Sequence, residues 1–240
     1  MILLGVDFET TGLDRDKDRI IEVGAILYST GQGKCIESSG YLVKSDVPVS
    51  AEITRLTGIT QSAVDKFGYP SRNALESFLD LAEQADAFIG QNVIRFDKLF
   101  LENWAKREGL VMPNKLWIDT RTDLPNVDSK SLPYMAADAG FLNLFPHSAL
   151  ADVQTVIKLV AMHDINKVVE RAQSPTLIVL AHHKFEDNKL AKKRKYVWNA
   201  DYKIWWKVIK QMDLEAERAE APFSISIAPP EISLMKLWYD

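Results

Sequence analysis

The sequence predicts an α/β domain built on a mixed β-sheet flanked by helices, followed by a smaller α+β module. Three observations carry that reading. The chain has 240 residues, nearly half of them hydrophobic, enough to bury one substantial core and still append a small unit. Strand-like and helical segments alternate after an antiparallel start, the pattern of a mixed sheet covered by helices. The composition changes after about residue 170, where Gln173-Ser174-Pro175 marks a boundary and basic clusters begin. The expected domains are therefore 1–170 and 176–240.

Ile2 to Phe8 is an apolar, strand-like run, closed by the turn-forming Thr10-Thr11-Gly12 and the charged loop Asp14 to Arg19. Ile20 to Tyr28 and Ser39 to Val43 read as the next two strands, with Gly31 to Gly33 turning the chain between them. Ser50 to Thr57 and Thr60 to Val64 read as short helices, each opened by a hydroxyl residue suited to N-capping. Ser71 to Gln84 is amphipathic, with Leu75, Phe78, Leu79 and Leu81 or Ala82 at helical spacing. Ala87 to Gly90 is a brief strand, and Asp97 to Glu108 a helix carrying Leu99, Phe100, Leu101 and Trp104. Leu116 to Asp119 is a further strand, and Leu132 to Ala139 and Ala149 to His163 are helical by pattern. In the module, Thr176 to Ala181 reads as a strand, while Pro222 to Asp240 reads as an extended arm without a core of its own.

The formal net charge is −4, so any contact with nucleic acid must come from local patches or bound metal rather than overall charge. A single cysteine, Cys35, cannot form an intrachain disulfide or a Cys-based metal site and fits a reducing, cytoplasmic setting. The N-terminus lacks a basic leader region, and no apolar run approaches the ~20 residues of a bilayer span. A soluble, unexported protein with no membrane partner is expected.

Chemistry concentrates in three segments. Asp7-Phe8-Glu9 stands at a predicted strand end, where the two-residue period puts both carboxylates on one face. Hard divalent cations take such oxygen ligands and serve phosphodiester hydrolysis, although a solvated strand-end pair reads the same from this fragment alone. Asp97 stands at a helix start, where an acid also complements the helix dipole. His147 precedes Asp152 by five residues; a histidine in the loop before the helix can approach reacting solvent while Asp152 reaches an ion.

Taken in order, VDFETTGLD with RIIEVGAI, GQNVIRFDKLFL and FPHSALADVQT resemble the three motifs of the DEDDh (DnaQ-like) family of 3′→5′ exonucleases, over roughly residues 1–165. Pro48 to Thr60 and the Trp117-Ile118-Asp119-Thr120 strand match as well. The resemblance implies a ribonuclease H-like fold, with Asp7, Glu9, Asp97 and Asp152 holding two Mg²⁺ or Mn²⁺ ions. It implies His147 as general base toward a metal-bound water, with release of nucleoside 5′-monophosphates from the 3′ end. Phe8, Thr10, Thr11, Gly12, Leu13 and Asn92 are implied beside the terminal nucleotide. Gln91 stands where many members carry histidine, and one residue around Ile94-Arg95 is extra; neither change touches an implied ligand. DNA is the expected substrate, with an exoribonuclease and a catalytically silent end-binding module as the alternatives. Replication or repair partners and oligomeric state are not legible.

Between Lys189 and Lys210, eight cations face only Asp201. The segment from Leu190 to Asn199 and then Lys203 to Lys207 interleaves those cations with Trp198, Trp205 and Trp206. It resembles small modules appended to phage and bacterial nucleases. A helix ending near Lys195 and a hairpin turning at Asn199 to Lys203 are expected to bury Trp198 and one of Trp205 or Trp206. Lys192, Lys193, Lys195, Trp198 and Trp205 are candidate nucleic-acid contacts, with a tryptophan core under a solvated basic rim as the plainer reading.

Overall fold

The structure is a computed structural model that describes residues 1–125 and 131–232; the last eight residues of the expected C-terminal arm lie outside it. Two compact units divide the chain, Met1–Ala172 and a second beginning at Gln173.

In the first unit the strands are β1 (Ile2–Thr10), β2 (Ile20–Ser29), β3 (Lys34–Leu42), β4 (Ala87–Gly90) and β5 (Leu116–Asp119). They form one sheet in the order β3-β2-β1-β4-β5. β1, β2 and β3 pair antiparallel, while β4 and β5 join in parallel. This is the mixed sheet the sequence predicts. The helices are α1 (Ala51–Thr57), α2 (Gln61–Phe67), α3 (Ser71–Gln84), α4 (Asp97–Glu108), α5 (Thr120–Asp123), α6 (Leu132–Asp138), α7 (Ala149–Ala161) and α8 (Ile165–Gln173). Ser50 and Thr60 cap α1 and α2 as expected, accepting from the Ile53 and Ala63 N–H groups. α5 and α8 are helices that the sequence pattern does not announce.

The sheet is packed on both faces, and β1 divides its side chains between them. Leu4, Val6 and Phe8 join one core with Leu75 and Phe78 of α3 and Phe100 and Trp104 of α4. Leu3 joins the other core with Val153, Val156 and Val160 of α7. α7 lies close to the strands because two glycines leave it room. A Cβ on Gly5 would come within 2.7 Å of Val153, and one on Gly24 would collide with the Ala149 backbone at the start of α7. Gly24 pairs directly with Asp7, so the close approach sets the first turn of α7 over the chemical end of β1.

The second unit holds β6 (Thr176–His182), α9 (Asn188–Lys193), β7 (Val197–Asn199), β8 (Ile204–Lys210), α10 (Leu214–Glu220) and β9 (Ser224–Ile227). Its strands form an antiparallel sheet in the order β7-β8-β6-β9. The expectation of an extended arm from Pro222 is corrected here. β9 hydrogen-bonds along β6, and Phe223 and Ile225 pack on the small core of Val179, Tyr196 and Leu214. Four residues alternating Ser and Ile are too short a run to announce a strand without the partner edge that completes it.

Candidate active site

Strand alternation decides which β1 side chains reach the site. Asp7 and Glu9 take the face under α7, and Asp152 in the first turn of α7 meets them. Carboxylate oxygens of Asp7, Glu9 and Asp152 all lie within 4.8 Å of one another. Asp97, buried at the start of α4, approaches from the other side of β1, and its Oδ1 accepts the Phe8 N–H at 2.9 Å. β4 pairs with β1 only as far as Gly5, so Asp97 takes up a backbone donor that the sheet leaves free. It stands outside the three-carboxylate group, yet close enough for its charge to act on Asp7.

His147 lies in the loop before α7, exposed, with a left-handed φ of 63°. Such a conformation is uncommon for a residue other than glycine. It is held by the backbone, because the His147 N–H donates to Asp152 Oδ2 at 3.0 Å. His147 is near enough to Asp152 to act on its carboxyl electrostatically, and it stands outside the three-carboxylate group.

The electrostatics of this assembly are one-sided. Burial, then the charges of Asp97, Asp152, Glu9 and Glu22, hold the Asp7 carboxyl well above the usual carboxylate range. Glu9 is pushed up to about 8 by burial and by Glu22 and Asp152. Burial also raises Asp97 and Asp152, against hydrogen bonds that favour their charged forms. Clustered acids without a compensating cation resist ionisation. An all-oxygen donor set under such repulsion fits hard divalent cations, which would offset the charge that the protein alone cannot.

The residues expected beside the terminal nucleotide divide. The alternation that turns Asp7 and Glu9 toward α7 sends the Phe8 side chain into the opposite core, edge-on to Phe78 and Trp104 at ring separations of 5.5 and 6.4 Å. Its contribution to the site is the N–H held by Asp97. Thr10 and Thr11 are buried, their hydroxyls bonding the Gly12 carbonyl at 2.5 Å and the Asp18 carboxylate at 2.9 Å. These bonds shape the turn that follows a register shift at Glu9/Thr10. Leu13 is 84% exposed at its tip. Asn92 adopts φ 58°, and its carbonyl accepts from Arg95 and Phe96 N–H at 3.2 Å, a tight turn that absorbs the extra residue of this segment.

Sequence reasoning does not name three residues of this neighbourhood as site residues, although two of them lie within matched segments. Glu22, paired across the sheet with Glu9, accepts the Ala149 N–H at 3.0 Å and anchors the free donor end of α7. Asn143 donates its amide to Asp152 Oδ1. Asp119 accepts the N–H groups of Asn92 at 2.9 Å, Ile94 at 3.4 Å and Arg121 at 3.0 Å, fixing the loop that leads to Asp97. Glu22 and Asp119 act through contacts between distant segments, and the local signals are the RIIEVGAI and Trp117-to-Thr120 matches, which assign neither acid a role.

Residues 4–160 match the exonuclease family RNase T. The chain belongs to this exonuclease family. Its relatives include DNA polymerase III PolC-type of Thermotoga maritima, 31% identical over 157 residues, which are 64% of this chain and 11% of the relative. PolC-type polymerase III of Caldanaerobacter subterraneus subsp. tengcongensis is 36% identical over 114 residues, 48% of this chain and 8% of the relative. The chain thus corresponds to a small part of these polymerases. Among solved structures, E. coli Exonuclease I in complex with a dA16 oligonucleotide aligns at TM-score 0.59 and 19% identity, covering 75% of this chain and 48% of that one. The nuclease domain of 3′hExo, a DEDDh family member bound to rAMP, aligns at TM-score 0.58 and 21% identity, covering 67% and 90%. The ribonuclease H-like exonuclease fold read from the three motifs is the one observed.

In the C-terminal unit the expected hairpin forms, but Trp198 is 46% exposed rather than buried. β7 is an edge strand, and the pairing of Trp198 with Trp205 puts both rings on one face, 5.7 Å apart, while Trp206 turns to the other and is buried. Lys192, Lys193 and Lys195 are exposed. The cationic excess is smaller than the window implied, because α10 lies beyond it and supplies acids. Glu217 binds Arg194 at 3.0 Å and Lys207 at 2.9 Å, and Glu220 binds Arg194 at 3.2 Å. No helix among the described residues is long and apolar enough to cross a membrane.

Proposed function

We propose that the chain is a metal-dependent 3′→5′ exodeoxyribonuclease that releases nucleoside 5′-monophosphates. The single observation that carries this reading is the convergence of Asp7, Glu9 and Asp152 within 4.8 Å, with Asp97 electrostatically linked to Asp7. In this reading Asp7, Glu9, Asp97 and Asp152 hold two ions, Mg²⁺ or Mn²⁺. Bound there, such ions supply Lewis acidity to the phosphodiester and lower the pKa of attacking water.

The chain's own residues do the rest. The carboxylates position and charge-balance the site, and Asp97 ties it to the β1 backbone. His147 takes up a proton from the attacking solvent at a ring nitrogen. Asp152 holds the His147 backbone at 3.0 Å, so one residue fixes both an ion ligand and the base. The turn from Thr10 to Leu13 and Asn92 flank the terminal nucleotide, and the C-terminal unit is an accessory nucleic-acid-binding module. The likeness to PolC-type DNA polymerases supports DNA; the rAMP complex of a neighbour supports RNA as the second reading.

End-labelled DNA and RNA, single- and double-stranded, incubated with and without Mg²⁺ or Mn²⁺, test the proposal. Metal-dependent release of mononucleotides from the 3′ end of DNA, faster than from RNA, is the expected result. Faster digestion of RNA would transfer the assignment to an exoribonuclease, and no digestion of either would overturn it.

A further inference from the structure

A cleft of about 730 Å³ opens within the C-terminal unit, lined by Trp198, Trp205, His183, Lys192, Lys203 and Asn188 among others. That volume falls within the roughly 300–1,000 Å³ of small-ligand sites. Two features make the lining unlike a leftover surface dimple. Trp198 and Trp205 stand 5.7 Å apart on the same face of the β7-β8 hairpin, and the His183 ring packs 5.7 Å from Trp205. His183 is itself fixed, its Nδ1 lying 2.9 Å from the Lys184 carbonyl. Trp205 is thus flanked by His183 on one side and Trp198 on the other.

The charge is also selective. Lys192 lies 6.0 Å from the Trp205 ring centre, and Lys203 sits in the hairpin turn that Asn199 braces by accepting the Tyr202 N–H at 2.9 Å. Neither lysine carries an ion pair among the described residues, and no carboxylate is among the described residues lining the cleft. Lys193 and Lys195 line a separate depression, shared with Glu217 and Glu220. The structure thus separates cations that the sequence groups together.

We propose that this cleft is a nucleotide-binding site for single-stranded nucleic acid, seating a base against the Trp198-Trp205 pair with Lys192 and Lys203 on the adjoining phosphates. An exposed indole, Trp198, backed by Trp205 and beside lysines without ion pairs, is the combination that captures unstacked bases and their backbone. A duplex keeps its bases stacked and offers the rings nothing. The binding needs none of the acids of the exonuclease site.

The test uses the full chain in EDTA, with labelled oligothymidylate and oligouridylate and with a blunt duplex as comparison, followed by anisotropy and tryptophan fluorescence. Trp198→Ala is expected to weaken single-strand binding roughly 5- to 150-fold, the range for loss of one base-aromatic stack. Lys192→Glu with Lys203→Glu, both at exposed positions, is expected to weaken binding and reduce the salt slope by about 0.7 for each phosphate no longer neutralised. Lys193→Glu with Lys195→Glu is expected to leave the slope nearer the parent value. Parent-like binding by the cleft variants, with unchanged circular dichroism, would overturn the proposal, as would a larger loss from the Lys193 and Lys195 pair or tighter binding of the duplex. A parent chain that binds single strands in EDTA yet cuts none with Mg²⁺ would remove the exonuclease mechanism and leave this site standing.

Discussion

Replacing Glu9 by glutamine is expected to stabilise the metal-free protein while disabling it. Glu9 has its carboxyl raised from 4.5 to about 8 by burial, Glu22 and Asp152. Below the ordinary value it is protonated in both folded and unfolded chains and contributes no pH-dependent difference. As pH rises toward 8 the unfolded chain releases the proton and the folded chain keeps it, so folding stability falls across that window and then levels off. At about 1.36 kcal/mol per tenfold the ceiling is about 5 kcal/mol, and solvent screening at this partly exposed position brings the expected effect to about 2 kcal/mol. Glutamine keeps the shape and removes the charge. In EDTA near pH 9 the variant should therefore melt about 4–8 °C above the parent, and near pH 4.5 the two should nearly coincide. Adding Mg²⁺ should raise the parent's melting temperature and leave the variant's largely unmoved. Differential scanning calorimetry at the two pH values reads all three outcomes. A Glu9→Gln protein less stable than the parent in EDTA at the higher pH would refute the repulsion argument.

His147→Ala should lower kcat by roughly 10²- to 10⁴-fold, the usual contribution of a positioned base, while metal affinity measured by calorimetry stays near the parent's. A parent-like kcat would remove His147 from the chemistry. Phe8→Ala should cost about 3–5 kcal/mol in denaturant unfolding, because the ring fills a core against Phe78 and Trp104 rather than a substrate surface. A variant with full stability and a raised KM would restore the substrate-contact reading.

The elements with strong internal pattern are legible from the residues alone. Ser71–Gln84 and Asp97–Glu108 form as predicted, since each carries its apolar stripe and its boundaries within its own residues. The short β9 and the helix α10 are not, because they are stabilised by partners elsewhere in the chain. In the site, the acids are legible as motifs, but their support is not. Glu22 faces Glu9 only through sheet register, and Asp119 holds the loop before Asp97 through amides more than 20 residues away. Phe8 shows the opposite case, where the two-residue period that pairs Asp7 with Glu9 already excludes the side chain between them. Trp198 is misplaced by sequence reasoning because burial of a hairpin residue depends on whether its strand lies at the sheet edge, which the hairpin's own sequence does not state.

Closure of Asp7, Glu9 and Asp152 around a divalent cation is the central claim. Anomalous diffraction from crystals grown with Mn²⁺ examines it directly. The expected result is a strong peak with oxygens of all three carboxylates at about 2.1 Å, a typical distance for small hard divalent cations. Saturating Mn²⁺ with density elsewhere, and none among these oxygens, would contradict it.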